Sequence, residues 1–420
     1  MVAGEKTLLV LGANPETASL VKRLNELGIR SVVTDYDPDA YAKQFATVAA
    51  NVDASDVDAL LGLAEDEEVD GVVVGVAEAL LPCYCELCER LGVPAYSTRE
   101  IFGELTNKGA FKRVCSRYGV GVAESFEPEE VPAESFPVVV KPADGCSSRG
   151  ISVCRCAAEL EYAVRIARDS SRTGSVLVEK YLEGDEFISY YAMRRGEVSL
   201  VAACDRYTYT PVGGGVQLPT AYVFPSRHLQ EYLRGADGKV RSLIEGEGLR
   251  DGSIFFQGFF CGDGFFRFYE PGFRLNGAQE HLIVAPATGL DVKDVYVDVA
   301  LGGGVLEWSV SELADPALGG KCGCKLSPIV RGGRISSLVG LEEIAELPGV
   351  VSVNPSYREG DEVPGDGTLK QIACRFFVLC DSKEGLKSTL DSIQSLFKVL
   401  DENGDDMVVG RFDTAVLEEG

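Results

Sequence analysis

Residues 138–151 read VVVKPADGCSSRGI, and the interpretation of the whole chain starts from this stretch. An apolar strand leads to Lys141, and a loop of small residues with two glycines and two serines follows before another strand begins. So little side-chain bulk lets backbone N–H groups and hydroxyls approach phosphate oxygens, and Lys141 adds a positive charge beside them. A glycine hairpin with an incidental lysine is the alternative. The stretch is not a Walker loop, because no Gly-Lys-Ser/Thr sequence opens a following helix.

A second stretch, residues 176–187, reads VLVEKYLEGDEF. A strand ends in charged residues, a short link follows, and another strand begins at Glu186. Taken alone, this pattern is that of a solvated turn.

A third stretch, residues 254–270, reads IFFQGFFCGDGFFRFYE, which is two aromatic strands joined by a Gly-Asp-Gly sequence that predicts a tight turn. If the loop is 261–264, Gln257 faces Phe268, and Glu270 then lies on the same face because side chains alternate along a strand. Burying this carboxylate among aromatic rings is costly unless a cation compensates it. A hard cation such as Mg²⁺ suits these oxygen ligands, and a lysine partner is the alternative.

Composition excludes several classes of function. The chain has 420 residues, 45% of them hydrophobic, which predicts two or three domains with packed cores. A formal net charge of -25 repels nucleic acid backbones and anionic membranes, so we expect neither as a partner. No apolar run approaches the roughly 18 residues of a membrane span, and the N-terminus reads as a β-strand rather than a signal peptide. We expect a cytoplasmic protein.

The 13 cysteines are expected to be mostly free thiols in a reducing compartment. Cys83, Cys85 and Cys88 form a C-x-C-x-x-C pattern in a predicted helix, and residues 322–324 form C-x-C. A zinc site is conceivable, but no second C-x-x-C pair or nearby histidine completes it. Small buried hydrophobic side chains are the favoured interpretation.

The order of elements predicts an α/β fold followed by an α+β region. Residues 1–105 alternate between predicted strands (7–11, 29–34 and 72–76) and helices (15–27 and 78–91), which indicates a small doubly wound, Rossmann-like sheet. The turn at 12–16 lacks the second and third glycines of the dinucleotide fingerprint, so we expect no bound dinucleotide. After a glycine break at 302–304, the chain ends in short strands (335–338, 350–353 and 371–379) and one clear helix, 383–399.

In this order, the three stretches resemble the ATP-grasp superfamily, which includes carbamoyl phosphate synthase large chains, biotin carboxylases, D-alanine–D-alanine ligases and L-amino-acid ligases. The resemblance covers essentially the whole chain. It implies a Rossmann-like domain at 1–105, an ATP-grasp domain at 106–305 with a mobile lid at about 118–185, and a C-terminal β-rich domain at 306–420. The implied enzyme uses ATP and Mg²⁺, or Mn²⁺, to activate a carboxylate as an acyl phosphate and to pass it to an amine, releasing ADP and phosphate. A homodimer is also implied.

The resemblance assigns site roles one residue at a time. For ATP they are Lys108 and Lys141 on the phosphates, Ser147, Ser148 and Gly150 in the loop that closes over them, Glu179, Lys180 and Leu182 at the adenine hinge, and Glu186 on the ribose hydroxyls. Gln257 and Glu270 match the metal ligands. Arg274 matches the arginine that holds the reacting oxygens, and it is the expected catalytic residue together with Lys141.

One departure from the superfamily pattern lies in the last motif. Many relatives read Glu-x-Asn-x-Arg, whereas residues 270–274 read EPGFR. Gly272 has no side chain to bind a metal, so either Asn276 or water takes over, or one Mg²⁺ is held less tightly. This glycine puts a two-metal arrangement in doubt.

The substrates are less readable than the ATP site. Arg206 pairs either with a substrate carboxylate or with a surface carboxylate, and His281 is expected to pack rather than act as a base. The segment 332–353 resembles the C-terminal domain of L-amino-acid ligases and is expected to close the site or build a dimer contact. Two alternatives stay open: carboxyphosphate or carbamoyl phosphate chemistry with bicarbonate, and a nucleotide-binding module without catalysis, which Gly272 motivates.

Overall fold

A computed structural model describes residues 6–144, 150–210 and 217–418. The N-terminal region is a four-stranded parallel sheet with helices packed on it, and the order of its strands is Val48–Ala50, Arg30–Thr34, Thr7–Leu11, Gly71–Val74. Its elements are β1 (Thr7–Leu11), α1 (Ala18–Glu26), β2 (Arg30–Thr34), β3 (Val48–Ala50), α2 (Val57–Asp66), β4 (Gly71–Val74), α3 (Leu81–Leu91) and α4 (Arg99–Thr106). All five residues of β1 are buried, as expected of a strand covered on both faces.

The predicted α/β pattern is confirmed here, but both predicted helices begin three residues late, each after a 3-10 turn (Pro15–Thr17 and Glu78–Leu80). Residues 15–17 form a 3-10 turn, and α1 begins only at Ala18. Pro15 occupies the first position of that turn, and the Asn14 side chain accepts a hydrogen bond from the Thr17 N–H at 3.0 Å. The loop after β1 is closed by Asp35, whose carboxylate accepts the Ala13 N–H at 3.1 Å.

The central region consists of a small sheet and most of a large one. Its elements are α5 (Lys108–Arg117), β5 (Ser125–Phe126), β6 (Val138–Pro142), β7 (Ser152–Cys154), α6 (Ala157–Ser170), β8 (Val176–Lys180), β9 (Gly184–Arg194), β10 (Glu197–Tyr209), β11 (Leu218–Phe224), α7 (Leu229–Gly235), α8 (Asp237–Gly246), β12 (Gly252–Cys261), β13 (Phe266–Phe273), α9 (His281–Thr288) and α10 (Val292–Ala300). The small antiparallel sheet, β5-β8-β6-β7, packs against α6. It has a hydrophobic core of its own around Val138, Val140 and Leu160, which suits the lid proposed at about 118–185.

The C-terminal region completes the large sheet. Its elements are α11 (Val310–Leu313), β14 (Cys322–Leu326), β15 (Ile329–Val330), β16 (Gly333–Arg334), β17 (Ser337–Val339), α12 (Leu341–Ala345), β18 (Val350–Pro355), β19 (Glu362–Val363), β20 (Cys374–Cys380), α13 (Lys383–Leu396), β21 (Lys398–Leu400) and β22 (Val408–Gly410). The large sheet has eight strands in the order β13-β12-β9-β10-β11-β14-β20-β18. It therefore runs across residue 305, where we placed a domain boundary, and that boundary stays a proposal.

The cysteines of α3 lie in its packed face or at its edge. Burial raises the pKa of Cys85 to about 11 and that of Cys88 to about 12, so both remain neutral thiols near pH 7. In the ranges described above, no group of three or more histidine, cysteine, aspartate or glutamate side chains is arranged to hold a metal ion. No helix in those ranges is long and apolar enough to cross a membrane.

Candidate active site

Two lysines share one buried carboxylate between the lid and α5. The Glu179 carboxylate lies 2.7 Å from the Lys112 ammonium and 2.7 Å from the Lys141 ammonium. Strand pairing places Lys141 on β6 and Glu179 on β8 as diagonal neighbours, and the side chain of Glu179 is 4% exposed. Burial alone would raise the pKa of Glu179, but the two lysines outweigh it and lower that pKa. Two cations on one anion leave an excess positive charge, which suits a phosphate.

Lys112 is the site residue that the motif comparison missed. It lies one helical turn after Lys108, the first residue of α5, so both side chains lie on the same side of the helix. Its ammonium also donates to the Ala123 carbonyl at 2.8 Å and to the Ser125 hydroxyl at 2.6 Å. The sequence feature that could have identified Lys112 is its position four residues after Lys108. The phosphate role of Lys108 stays a prediction.

The predicted phosphate loop is described only at its ends. Ser147 and Ser148 lie outside the described residues, whereas Gly150 is described and has φ +71°. A Cβ at Gly150 would lie 2.6 Å from the Cβ of Ser170, so only glycine fits. At the other end, the Asp144 carboxylate accepts the Ser171 hydroxyl at 2.6 Å. Both ends of the loop therefore lie against the C-terminal end of α6.

The predicted adenine hinge joins the small sheet to the large one. The Lys180 ammonium donates to the Ser135 carbonyl at 3.0 Å, and the Tyr181 N–H donates to the Pro137 carbonyl at 3.1 Å. Leu182 lines two cavities, one of about 880 Å³ beside α5 and one of about 490 Å³ over the large sheet. The hinge backbone therefore borders open space on both sides.

Glu186 lines the smaller of these two cavities together with Leu182 and Arg206. Its carboxylate accepts hydrogen bonds from the Arg206 guanidinium and, at 2.7 Å, from the Tyr269 hydroxyl. Arg206 therefore forms a buried ion pair inside the candidate site. We had expected it to pair either with a substrate carboxylate or with a surface carboxylate. The predicted hinge and ribose residues, Leu182 and Glu186, share one cavity.

The register of the β12–β13 hairpin differs from the prediction. Gly258, not Gln257, lies opposite Phe268, because the loop is one residue longer than expected. A β-bulge between Gln257 and Gly258 then shifts the pairing, so that Gln257 lies directly opposite Glu270. The predicted register was wrong, but the two oxygen-bearing side chains still share a face, as direct cross-strand neighbours.

These neighbours fit one hard divalent cation. Cross-strand partners have Cβ atoms about 5 Å apart, close enough for an amide oxygen and a carboxylate to meet one ion. Mg²⁺ in phosphate-transferring sites commonly takes one or two protein ligands, with phosphate oxygens and water completing its coordination. Asn276 is a weaker candidate, because its side-chain oxygen accepts the Ala278 N–H at 2.9 Å in a local turn. All three metal assignments stay predictions.

The space beside Gly272 is filled by an aromatic ring. Gly272 pairs with Phe255, and a Cβ at position 272 would lie 2.1 Å from the Phe255 Cζ. Arg274 lies against the same ring, its guanidinium carbon 5.5 Å from the ring centroid. Its Nε donates to Glu78 at 3.3 Å. The asparagine that the superfamily pattern would place at position 272 is therefore both absent and sterically excluded.

His281 begins α9 and is buried. Burial lowers its pKa well below the usual value, so the ring is neutral. Its Nε2 lies 3.1 Å from the Ser19 hydroxyl, whereas its Nδ1 is buried with no hydrogen-bond partner in the described structure.

The chain is similar to known proteins in part of its sequence and in its fold. Residues 110–199 match a family model described as D-ala D-ala ligase C-terminus. A formate-dependent phosphoribosylglycinamide formyltransferase of Methanocaldococcus jannaschii is 26% identical over 61% of this chain and 68% of that protein.

Two solved structures match nearly the whole chain. An L-amino acid ligase from Bacillus licheniformis has a TM-score of 0.77 at 19% identity, covering 96% of this chain and 100% of that one. A phosphoribosylglycinamide synthetase from Anaerococcus prevotii has a TM-score of 0.76 at 18% identity, covering 95% and 100%. The predicted fold is confirmed, because nearly the whole chain folds as these two proteins do.

Proposed function

We propose that this protein is an ATP-dependent ligase that joins a carboxylate to an amine through an acyl phosphate, with release of ADP and phosphate. The observation that carries the proposal is the Lys112–Glu179–Lys141 group beside the hinge. Its excess positive charge suits nucleotide phosphates, and the neighbouring cavity bordered by Leu182 and Glu186 is of a size for a nucleoside.

The residues divide the work as follows. Lys112 and Lys141 neutralise charge on the phosphates, and the lid loop beginning at Asp144 excludes water from the reactive intermediate. Arg274 steadies the oxygens of the acyl phosphate. A divalent cation at Gln257 and Glu270 would supply charge neutralisation between the phosphate groups when bound.

Phosphate release from ATP, measured against a matrix of carboxylic acids and amines, tests this proposal. We expect release that requires one acid and one amine together. Release with bicarbonate alone, with labelled bicarbonate incorporated, would replace the proposal with carboxyphosphate chemistry. ATP binding without turnover across the matrix would indicate a nucleotide-binding module instead. The homodimer stays a prediction that light scattering can test.

A further inference from the structure

Tyr269 is the inserted residue of the bulge in the β12–β13 hairpin. Gly258 lies opposite Phe268 and Gln257 lies opposite Glu270, which leaves Tyr269 as the extra residue between the two pairs. Side chains alternate between the two faces of a regular strand, and one inserted residue interrupts that alternation. Tyr269 and Glu270 can therefore point to the same face of the sheet although they follow each other in the chain.

The contacts of Tyr269 show which face this is. Phe259 is two residues after Gln257 and pairs with Glu186 on β9, so these three side chains share one face. The Tyr269 hydroxyl donates to Glu186 at 2.7 Å, and the Tyr269 ring centroid lies 5.8 Å from that of Phe259. Tyr269 thus lies on the same face as Glu270, the predicted metal ligand that follows it.

The contact between Tyr269 and Glu186 requires a long side chain. Strand β12 lies between β13 and β9 in the large sheet. Because neighbouring strands are ~4.8 Å apart, β13 and β9 are separated by about 10 Å, and the tyrosine ring crosses β12 to reach Glu186. Burial and the Glu186 carboxylate raise the pKa of Tyr269 well above its usual value, so the hydroxyl keeps its proton and acts as a donor.

Glu186 is held by only one of its two oxygens. Both hydrogen bonds that its carboxylate accepts in the described structure, from Arg206 and from Tyr269, fall on Oε1. The two donors belong to β10 and β13, on opposite sides of β9, and together they fix the plane of the carboxylate. Oε2 is left as an acceptor beside the cavity that Glu186 lines. Because Arg206 already compensates the negative charge, a neutral hydroxyl donor suits Oε2 better than a second cation.

We propose that Tyr269 is a positioning residue, which holds Glu186 so that its Oε2 accepts a hydrogen bond from a ribose hydroxyl of the nucleotide. This inference rests on the proposed function, which places a nucleoside in this cavity. Arg206 alone would hold one oxygen and leave the carboxylate free to turn about it, whereas the second donor removes that freedom. Since Glu270 follows Tyr269 directly, the ribose contact and the predicted metal site depend on the same bulge.

Calorimetric titration with Mg-ADP and with Mg-2′,3′-dideoxy-ADP, which lacks both ribose hydroxyls, tests the proposal. We expect wild-type protein to bind Mg-ADP about tenfold more tightly, as one hydrogen bond to a charged group allows. In Tyr269→Phe, which keeps the ring but removes the donor, this ratio should fall below about threefold, with binding of the dideoxy nucleotide nearly unchanged. A role in packing alone would weaken both nucleotides equally, and an unchanged ratio would overturn the proposal.

Glu186→Gln tests the orientation of the side chain separately. The Arg206 and Tyr269 donors select the amide oxygen at the Oε1 position, which turns the amide nitrogen, a donor, towards the cavity. The ratio should therefore fall in this variant too, and a ratio kept at the wild-type value would contradict the positioning role. If Tyr269→Phe does not fold, Glu186→Gln decides.

Tyr190→Phe is the matched control. Tyr190 is a buried tyrosine of the same sheet, and its hydroxyl lies 3.6 Å from the Cys204 sulfur. The ratio should stay at the wild-type value in this variant, and an equal fall in Tyr190→Phe and Tyr269→Phe would overturn the assignment to Tyr269.

The same titrations separate this inference from the proposed function. If folded wild-type protein binds neither nucleotide, the ligase proposal fails and this inference fails with it. If both nucleotides bind equally well, this inference alone is overturned and the ligase proposal stands.

Discussion

Lys141 is the residue on which the phosphate assignment most depends. We expect Lys141→Ala to lower turnover at least ~100-fold, because a charge that meets the transferring phosphate is lost. Lys112 still compensates Glu179, so the stability cost should be roughly 1–2 kcal/mol, below the roughly 3–5 kcal/mol of a buried pair broken outright. Phosphate release and urea unfolding measure the two effects. Near-normal turnover in a cooperatively folded variant would remove the assignment.

Gly272 and Phe255 form a second residue-scale test. Because a Cβ at position 272 would overlap the Phe255 ring at 2.1 Å, Gly272→Asn should cost about 1–3 kcal/mol of unfolding free energy. In a Phe255→Ala background, the same change should cost almost nothing. A double-mutant cycle by urea denaturation gives the coupling, which we expect to exceed roughly 1 kcal/mol. Additive effects would mean that the ring does not exclude the side chain.

The sequence predicted site residues unevenly. Lys141 was predicted as a phosphate residue because it ends an apolar strand beside a loop of small residues. Glu179 was assigned to the adenine hinge by resemblance alone, and its carboxylate instead pairs with Lys112 and Lys141. Lys112 was missed because a lysine on an amphipathic helix resembles a solvated surface residue until the partner strand is placed beside it. The steric exclusion of a side chain at position 272 also could not be predicted from the sequence, because it depends on which residue lies opposite Gly272 in the hairpin.

At the scale of elements, the bulge in the β12–β13 hairpin sets the candidate metal site. A Cβ at Gly258 would lie 2.3 Å from the Arg267 carbonyl oxygen, so Gly258→Ala should disturb the bulge and separate Gln257 from Glu270. We expect a loss of about 1–3 kcal/mol in stability. The additional thermal stabilisation that Mg²⁺ gives to the ADP complex should also fall.

Gly262→Ala is the matched control in the same hairpin, because nothing lies within 4 Å of a Cβ there. Its stability should change by less than about 0.5 kcal/mol, with the Mg²⁺ effect intact. Equal behaviour of the two variants would contradict a role for the bulge.

The bounds of the helices and strands could be predicted from local sequence patterns, but the pairing of the strands could not. The strands of the parallel sheet have apolar centres, and their predicted positions were close to β1, β2 and β4. The bulge could not be foreseen, since aromatic residues on both strands satisfy either register. The pairing of β11 with β14 joins residues about a hundred positions apart, and such a contact leaves no local signal.

At the scale of the molecule, the buried pair Lys325 and Glu280 should shape the dependence of stability on pH. Glu280, with its pKa raised to about 7, keeps a proton that the unfolded chain loses above about pH 4. The contribution of Glu280 to the free energy of unfolding therefore falls between about pH 4 and about pH 7. Lys325, with its pKa lowered to about 7, lacks a proton that the unfolded chain keeps up to about pH 10. Its contribution therefore rises from pH 7 to about pH 10.

Urea midpoints at pH 5, 7 and 9 measure this pattern. In Glu280→Gln, the fall in stability that the wild type shows between pH 5 and 7 should be absent. In Lys325→Met, the rise in stability that the wild type shows between pH 7 and 9 should be absent. The paired neighbours Glu16, Arg375, Lys293 and Arg206 remain in both variants. Profiles parallel to that of the wild type would contradict the pKa shifts that burial gives these two groups.

The central claim is that the lid and the large sheet close on a nucleotide, and calorimetric titration with Mg-ADP tests it most directly. We predict one Mg-ADP bound per chain, with at least tenfold weaker binding in Lys112→Met and in Lys141→Met. No binding to the folded wild type, or binding unchanged when both lysines are replaced, would contradict the claim.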